Sequence, residues 1–584
     1  MTIGSGSMAS HCGSSTMPSS VMGVVSLVID TGSPLANMPV TFTQKKITPS
    51  IICFINRLEF TNCADNDYLD VMLLKSIVSG LIMTMSIAGI SQASDFFETD
   101  LVEIEIIFQD NGWQDTLISR KKRDDKNALI ATIHVGGAQY EDAEVRFKGN
   151  SSFHGALKQG WQKFPLRIKV SSDNLIAGRY NKLRLANNYR DPSAIRELLA
   201  YRIAGTYIPV PKVVPASVTI NGVYAGLYTL TEGIGKAMMT DYFCDNKGVL
   251  IQCEPNFAAN QIAGCPKGDF ANLEYLGTEA ACYVRLYDIE KEKTSKSLIA
   301  LIQKLDQDQR IDTVLDIYQT LWMHAINNVL VNLDSYLGLF CHNYFVYQDR
   351  HGIYHPLIWD LNLAFGGFAP IAQGESPNPI KLSPLAHDRF HKGKRPLIQK
   401  LTDDIDNAHL YFWMMKTIAA DWITSGKYLE VAAQLQDRIR PFVEREKNGL
   451  YTLKDFDRSM TETTKRENHR SIIGIAQLME PRAEYLVKHV LLNKKTPVVT
   501  DWSSDIEGQN LRIELMTSDD VNQIKLRYKS DECGKYQTKL MQQYGPENWE
   551  SDVPVGSLFY FVLSSETGAS LFPTHAPLEV FGGS

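Results

Sequence analysis

The chain has 584 residues, too many for one ordinary domain, and its length alone points to roughly two to four. Hydrophobic residues make up 44% and charged residues 21%, which excludes a mainly disordered chain. A net charge of -7 argues against a global nucleic-acid binder and leaves room only for a local basic cleft.

Residues 1–71 open on a Ser-, Gly- and Met-rich stretch without periodicity and read as a leader or an over-extended start. Residues 72–93, "MLLKSIVSGLIMTMSIAGISQA", carry Lys75, an apolar run through Ile90, and small residues at Ser91 and Ala93. That is the layout of a signal peptide, and a mature chain beginning at Ser94 is expected. The run is shorter than the ~20 apolar residues of a membrane span, so membrane contact is expected only during export. A periplasmic, cell-surface or extracellular protein follows. Six cysteines remain beyond Ala93, and four of them (Cys244, Cys253, Cys265 and Cys282) lie close together at spacings that match no zinc template. One or two disulfides are expected among those four, with connectivity open.

Residues 94–235 read as a β-rich lobe. Alternating runs such as "LVEIEIIF" and "ALIATIHV" predict strands, and so do "EVRFKG" and "FPLRIKV". Alternation places Arg146 and Lys148 on one face of their strand and Arg167 and Lys169 on one face of theirs. Between these strands "GNSSFHG" predicts a loop with free backbone N–H groups. "DPSAIRELLAYRIAG" predicts a helix with Asp191 as cap, Pro192 in its first turn and Gly205 at its end. Two further strands are joined through Asn221-Gly222, a tight-turn signal. A small antiparallel sheet with one inserted helix is the expected result.

Residues 236–494 read as mainly helical, interrupted by the strand pair "NYFVYQ" and "HPLIWD" around the turn "DRHG". Beyond it, residues 495–584 alternate again in "LRIEL", "QIKLRY" and "LFYFVLSS", predicting a β-sandwich-like accessory module. The fold class is therefore α+β.

The stretch "NLDSYLGLFCHNYFVYQDRHGIYHPLIWDLNLAFGG" carries the chemistry. A hairpin of its two strands would bring Asn343 and Asp360 to the same end. An amide oxygen and a carboxylate are hard donors suited to Mg²⁺, which binds few protein groups and takes substrate phosphates for the rest. Asp334, after a long helix, is placed to take or orient a substrate proton, as a kinase catalytic acid does. The plainer reading keeps the cations on the wet face of a sheet, Asp334 as a turn cap, and Asp360 as a structural ion-pair partner. His324, His342, His351 and His355 show no zinc pattern, and the basic stretch 387–396 reads as a solvated loop. No Walker loop, nucleophile elbow or dinucleotide fingerprint is present.

Taken together, "RFKGNSS", "FPLRIKV", "LANNYRDPSAIRELLAYRI", "INGVYAGLYTLTE" and "NLDSYLGLFCHNYFVY" with "WDLNLAFG" resemble the spore-coat protein H (CotH) kinase family over roughly residues 100–490. The resemblance implies an atypical protein kinase with a two-lobed kinase-like fold. It also implies ATP, Mg²⁺ or Mn²⁺, and a protein partner with a Ser or Thr acceptor. Carried onto this chain, it makes Asp334 the catalytic acid and Asp360 the metal ligand, with Asn343 added as second ligand. Lys169, with Arg167 as the alternative, is the expected phosphate cation, and Glu197 is its partner on the helix. Gly149, Asn150, Ser151 and Ser152 would line the phosphates through backbone N–H groups. Glu232 would lie near the adenine on a hinge-like strand. The family often has a second acid two residues after the metal Asp, where this chain has Asn362. That leaves a catalytically inactive kinase-like scaffold or adhesion protein as the alternative, and a metal-dependent phosphohydrolase as a third reading.

Overall fold

The computed structural model describes residues 95–582, apart from 290–294, 308–309, 369, 371–375, 390–393, 448 and 467–469. They belong to one compact unit, Ala93–Ser584. The leader, the signal segment and the Ser94 start lie outside the described residues. The fold is mixed α+β, with eleven α-helices among the described residues.

The first half is a barrel. Strands β1 (Val102–Phe108), β2 (Leu129–Val135), β3 (Ala138–Phe147), β4 (Leu166–Lys169), β5 (Lys182–Ala186), β6 (Val213–Ile220) and β7 (Val223–Glu232) close in the order β1-β2-β3-β4-β5-β7-β6. All pairs are antiparallel except β1 with β6, which is parallel and shuts the ring. The expected small antiparallel sheet is thus a closed barrel with one parallel pair. Closure leaves no unpaired edge, and alternate residues such as Ile106, Ile133, Val145, Ile168, Leu183 and Leu230 fill the interior. Asn221 and Gly222 both take positive φ, 48° and 76°, as a two-residue hairpin turn requires.

Three helices accompany the barrel strands, α1 (Trp113–Lys122), α2 (Ser151–Lys158) and α3 (Arg196–Ala204). The sequence predicted a loop at α2. Phe153 and Ala156 explain the difference, because they bury one face of a short helix against Phe147 and Phe164. Gly149, with φ +70°, makes the turn into it. Around α3, Asp191 accepts from the backbone N–H groups of Ser193 (3.0 Å) and Arg196 (2.7 Å), so it fixes the turn before the helix while Pro192 stays outside. Gly205 ends it, as expected. Arg196 and Glu197 are buried with the apolar residues of α3, so the helix is enclosed on nearly all sides.

After α4 (Lys236–Phe243) comes a second sheet in the order β11-β10-β8-β9, from β8 (Val249–Cys253), β9 (Tyr287–Ile289), β10 (Tyr344–Gln348) and β11 (Tyr354–Ile358). The β10–β11 hairpin pairs Tyr344 with Ile358 and Gln348 with Tyr354, around the Asp349–Gly352 turn that the sequence predicted. Helices α5 (Lys296–Asp306), α6 (Ile317–Val329), α7 (Pro396–Thr402), α8 (Ile405–Ile418), α9 (Lys427–Glu444), α10 (Leu453–Arg458) and α11 (Ile475–Lys488) build the large helical core around them.

The chain ends in two antiparallel sheets. One holds β12 (Val499–Glu507), β13 (Asn510–Thr517), β16 (Gln542–Gln543) and β17 (Asn548–Pro554). The other holds β14 (Val521–Lys529), β15 (Gln537–Leu540), β18 (Leu558–Ser565), β19 (Ala569–Phe572) and β20 (Phe581–Gly582). Ile513, Leu515 and Trp549 from the first meet Ile524, Leu526 and Phe561 from the second in one apolar cluster. The Trp322 indole donates to Ala576 O (2.8 Å), fastening this region to α6.

Cys265 pairs with Cys282, whereas Cys244 reaches Cys533, 289 residues away. Cys253 and Cys341 are buried thiols. Among the described residues, no helix is long and apolar enough to cross a membrane.

Candidate active site

The β10–β11 hairpin sets the site. With Tyr344 opposite Ile358, Asn343 and Asp360 leave the sheet together at its open end. Both take left-handed backbone conformations, φ 57° and 53°, which Asn and Asp tolerate better than most residues. The Tyr201 hydroxyl of α3 accepts the Asp360 backbone N–H (2.9 Å) and pins that turn to the central helix. Asp334, on the loop after α6, is tied to the same place. The Asn343 amide nitrogen donates to Asp334 O (2.8 Å) and Oδ2 (3.2 Å), and His342 Nε2 meets Asp334 Oδ1 at 2.9 Å. The other imidazole nitrogen faces Glu254 Oε1 at 3.3 Å. Asp334 and Asn343 are thus bonded to each other, with Asp360 within electrostatic reach of Asp334.

Acidic and basic side chains act on one another at this end. Burial pushes the Asp360 carboxyl up; Lys148 opposes that shift, while Asp334 and Glu254 add to it. Burial, with Asp360, pushes Glu197 up to about 8, against the pull of Lys148. Burial drives Lys148 down, with Asp360 and Glu197 drawing it back. Burial would lower His342, but its bonds to Asp334 and Glu254 outweigh that and carry it up to about 10, so it is an imidazolium at neutral pH. Asp334, Asp360, Glu197 and Glu254 thus share this end with the cations Lys148, His342 and Arg184.

The expected cation was Lys169, and the structure gives it a partner of its own. Strand register puts Lys169 opposite Glu144, and its ammonium bonds both carboxylate oxygens (3.0 and 3.1 Å) on an exposed surface. Lys148 is the lysine that acts on both Asp360 and Glu197. No ion-pair partner lies within 4.0 Å of it among the described residues. Arg167 sits mid-row between Arg146 and Arg184 on the outer face of the barrel. Of these three, Arg184 feels Asp360, and its guanidinium lies 4.8 Å from the Trp359 ring centre.

Glu197 accepts from the Thr231 hydroxyl (3.2 Å) through one oxygen, while the other is buried without a partner. Ser151 and Ser152 open α2, so the N–H groups expected of a loop belong to a helix N-terminus that Gly149 and Asn150 lead into. Glu232 stands apart. It accepts the Lys212 backbone N–H (3.1 Å), and the side chains acting on it are Asp241, Lys212 and Arg179. Burial pushes it up to about 7.

Sequence reasoning missed Glu254, His342 and Lys148. Glu254 follows β8 as Asp360 follows β11, an acid just past a strand end, and that shared signature could have found it. Lys148 was visible as a strand cation, but only register separates it from Lys169.

The donors suit a hard divalent ion. The Asn343 amide nitrogen is engaged, which leaves its oxygen, and Asp360 offers a carboxyl that burial raises and Lys148 draws back. No group of three or more His, Cys, Asp or Glu among the described residues is arranged to hold a metal. The family model for CotH kinase protein matches residues 145–486, more than half of the chain, and spans every residue of this site. No curated protein matches the chain.

Proposed function

Because the chain belongs to the CotH kinase family, we propose that it transfers the γ-phosphoryl group of ATP to a Ser or Thr hydroxyl of a surface or coat protein after export. The barrel and the helical region would act as the two lobes of a kinase-like fold, with the last two sheets as a sandwich-like accessory module. The observation that carries the reading is the bonding of Asp334 to Asn343 at one hairpin end, with Asp360 within electrostatic reach of Asp334, Lys148 and Glu197.

Asp334 would take the proton as the acceptor oxygen attacks phosphorus and the bond to the β-phosphate oxygen breaks, releasing ADP. Lys148, balanced by Glu197, would meet the phosphates, and the α2 N-terminus would add backbone donors. Asp360 and the Asn343 oxygen would hold Mg²⁺ or Mn²⁺, which when bound neutralises phosphate charge. Lys148 replaces Lys169 in this scheme because Lys169 already has Glu144.

Calorimetry with ATP and Mg²⁺ or Mn²⁺, followed by γ-phosphate label transfer to an acceptor protein, tests the reading. Binding with transfer is expected, and absence of binding would falsify it. Binding without transfer selects the inactive scaffold, which Asn362 favours, since an amide stands where the family often has a second acid.

A further inference from the structure

A shallow cleft is lined by Trp161, Arg190, Tyr451, Thr464, Arg466 and Arg470. Trp161 and Tyr451 form its aromatic walls, and Arg190, Arg466 and Arg470 contribute three guanidinium groups. The Arg466 guanidinium carbon sits 4.9 Å from the Tyr451 ring centre and 5.7 Å from that of Trp161. Such stacking holds a guanidinium face-on and leaves its N–H edge for an anion. The Tyr451 hydroxyl donates to Tyr189 O (2.7 Å), which fixes that wall.

Arg466 already has a counter-ion in Asp455, at 3.0 Å. Neither Arg190 nor Arg470 has an ion-pair partner within 4.0 Å among the described residues. The two repel each other, and burial disfavours the charge on Arg190 further. Like charges left unbalanced around one cleft are stabilised by an anion that both can bond. Asp334 acts on Arg190 as well as on Asp360, so the acid that would hold the acceptor hydroxyl is shared by the two clusters.

We propose that this cleft binds an anionic group of the acceptor protein, a carboxylate or a phosphate near the hydroxyl that is phosphorylated, so that the substrate is an acidic or already phosphorylated segment. The inference rests on the kinase reading above. Fluorescence anisotropy tests it with the full chain and four fluorescein peptides that differ only in the residues flanking a central Ser: Glu, phosphoserine, Ala or Lys. The Glu and phosphoserine peptides are expected to bind about tenfold more tightly than the Ala peptide, with the advantage shrinking in salt. Arg190→Gln and Arg470→Gln should each remove most of that advantage and leave Ala-peptide binding unchanged. Arg470 is exposed, so its variant keeps the test alive if Arg190→Gln does not fold. A phosphoserine peptide well ahead of the Glu peptide assigns a phosphate, and equal affinity assigns any carboxylate or phosphate; both support the cleft. Equal binding of all four peptides, or the Lys peptide binding best, overturns it. Calorimetry of Mg-ATP on the same sample separates the two claims: a retained anion preference without nucleotide binding supports the cleft and overturns the kinase.

Discussion

Two imidazole rings stand at opposite ends of the β10–β11 hairpin, each between two carboxylates. At the turn, His355 meets Asp316 and Asp349, both at 3.1 Å. At the open end, His342 meets Asp334 at 2.9 Å and Glu254 at 3.3 Å. Their neighbours differ. Asp316 also caps α6 through the Gln319 N–H (3.1 Å), and Asp349 accepts the N–H groups of His351 and Ile353, so both carboxylates at the turn have backbone partners as well. The open end adds Asp360 and Glu197 to the carboxylates, and Glu254 keeps 41% of its side-chain surface in water. The same ion triad is closed off in one place, and in the other it lies within electrostatic reach of buried groups, Asp360 among them, whose charge burial disfavours. Local stability is forgone there, as it is where a function uses strained charge.

Asp360→Asn should break the contrast most sharply. Label transfer should fall at least ~10³-fold, while the urea midpoint stays level or rises because a disfavoured buried carboxylate is gone. A midpoint that falls along with activity would make Asp360 structural. Lys148→Met should lower kcat/KM for ATP by on the order of 10²-fold; unchanged kinetics would return the phosphate contact to another cation.

His355→Gln tests the closed end. Burial would lower this imidazole, but Asp316 and Asp349 raise it from 6.5 to about 9. Its stabilisation is therefore complete below about pH 6.5 and lost as pH rises through about 9. The variant should lose about 2–3 kcal/mol at pH 6 and show no further drop to pH 10, read from denaturation midpoints at each pH. An alkaline drop identical to that of the unmodified chain would assign it to other groups. The smallest effect belongs to Lys169→Met, because an exposed pair with Glu144 contributes at most about 1 kcal/mol and touches no other part of the site. Activity within twofold of the unmodified chain is expected, and a large loss would restore Lys169 to the phosphates.

Much of this was legible because it depends on period and punctuation. The hairpin at 344–358 follows from two apolar runs around Asp-Arg-His-Gly, and the 221–222 turn from Asn-Gly; each is a local rule that tertiary context did not override. Barrel closure was not legible, because the parallel pairing of β1 with β6 joins segments more than a hundred residues apart. Lys148 and Lys169 look alike in sequence for a related reason. Their difference lies in what stands opposite them across the sheet, Glu144 for one and the open site for the other. The cysteines behaved similarly: four neighbours suggested local bridges, and one of them had its partner in the last two sheets.

That distant bridge changes how load travels. Cys244 sits just past α4, close to the barrel, and Cys533 lies in the turn after β14, where Arg350 and His351 of the hairpin turn also bond its carbonyl. Tension applied to the C-terminal sheets is therefore delivered through a covalent shortcut to the segment just after α4, across a sequence separation of 289, and the helices between need not bear it. A molecule anchored by its tail would stay folded at its centre under a pull that peels an untied terminal module away.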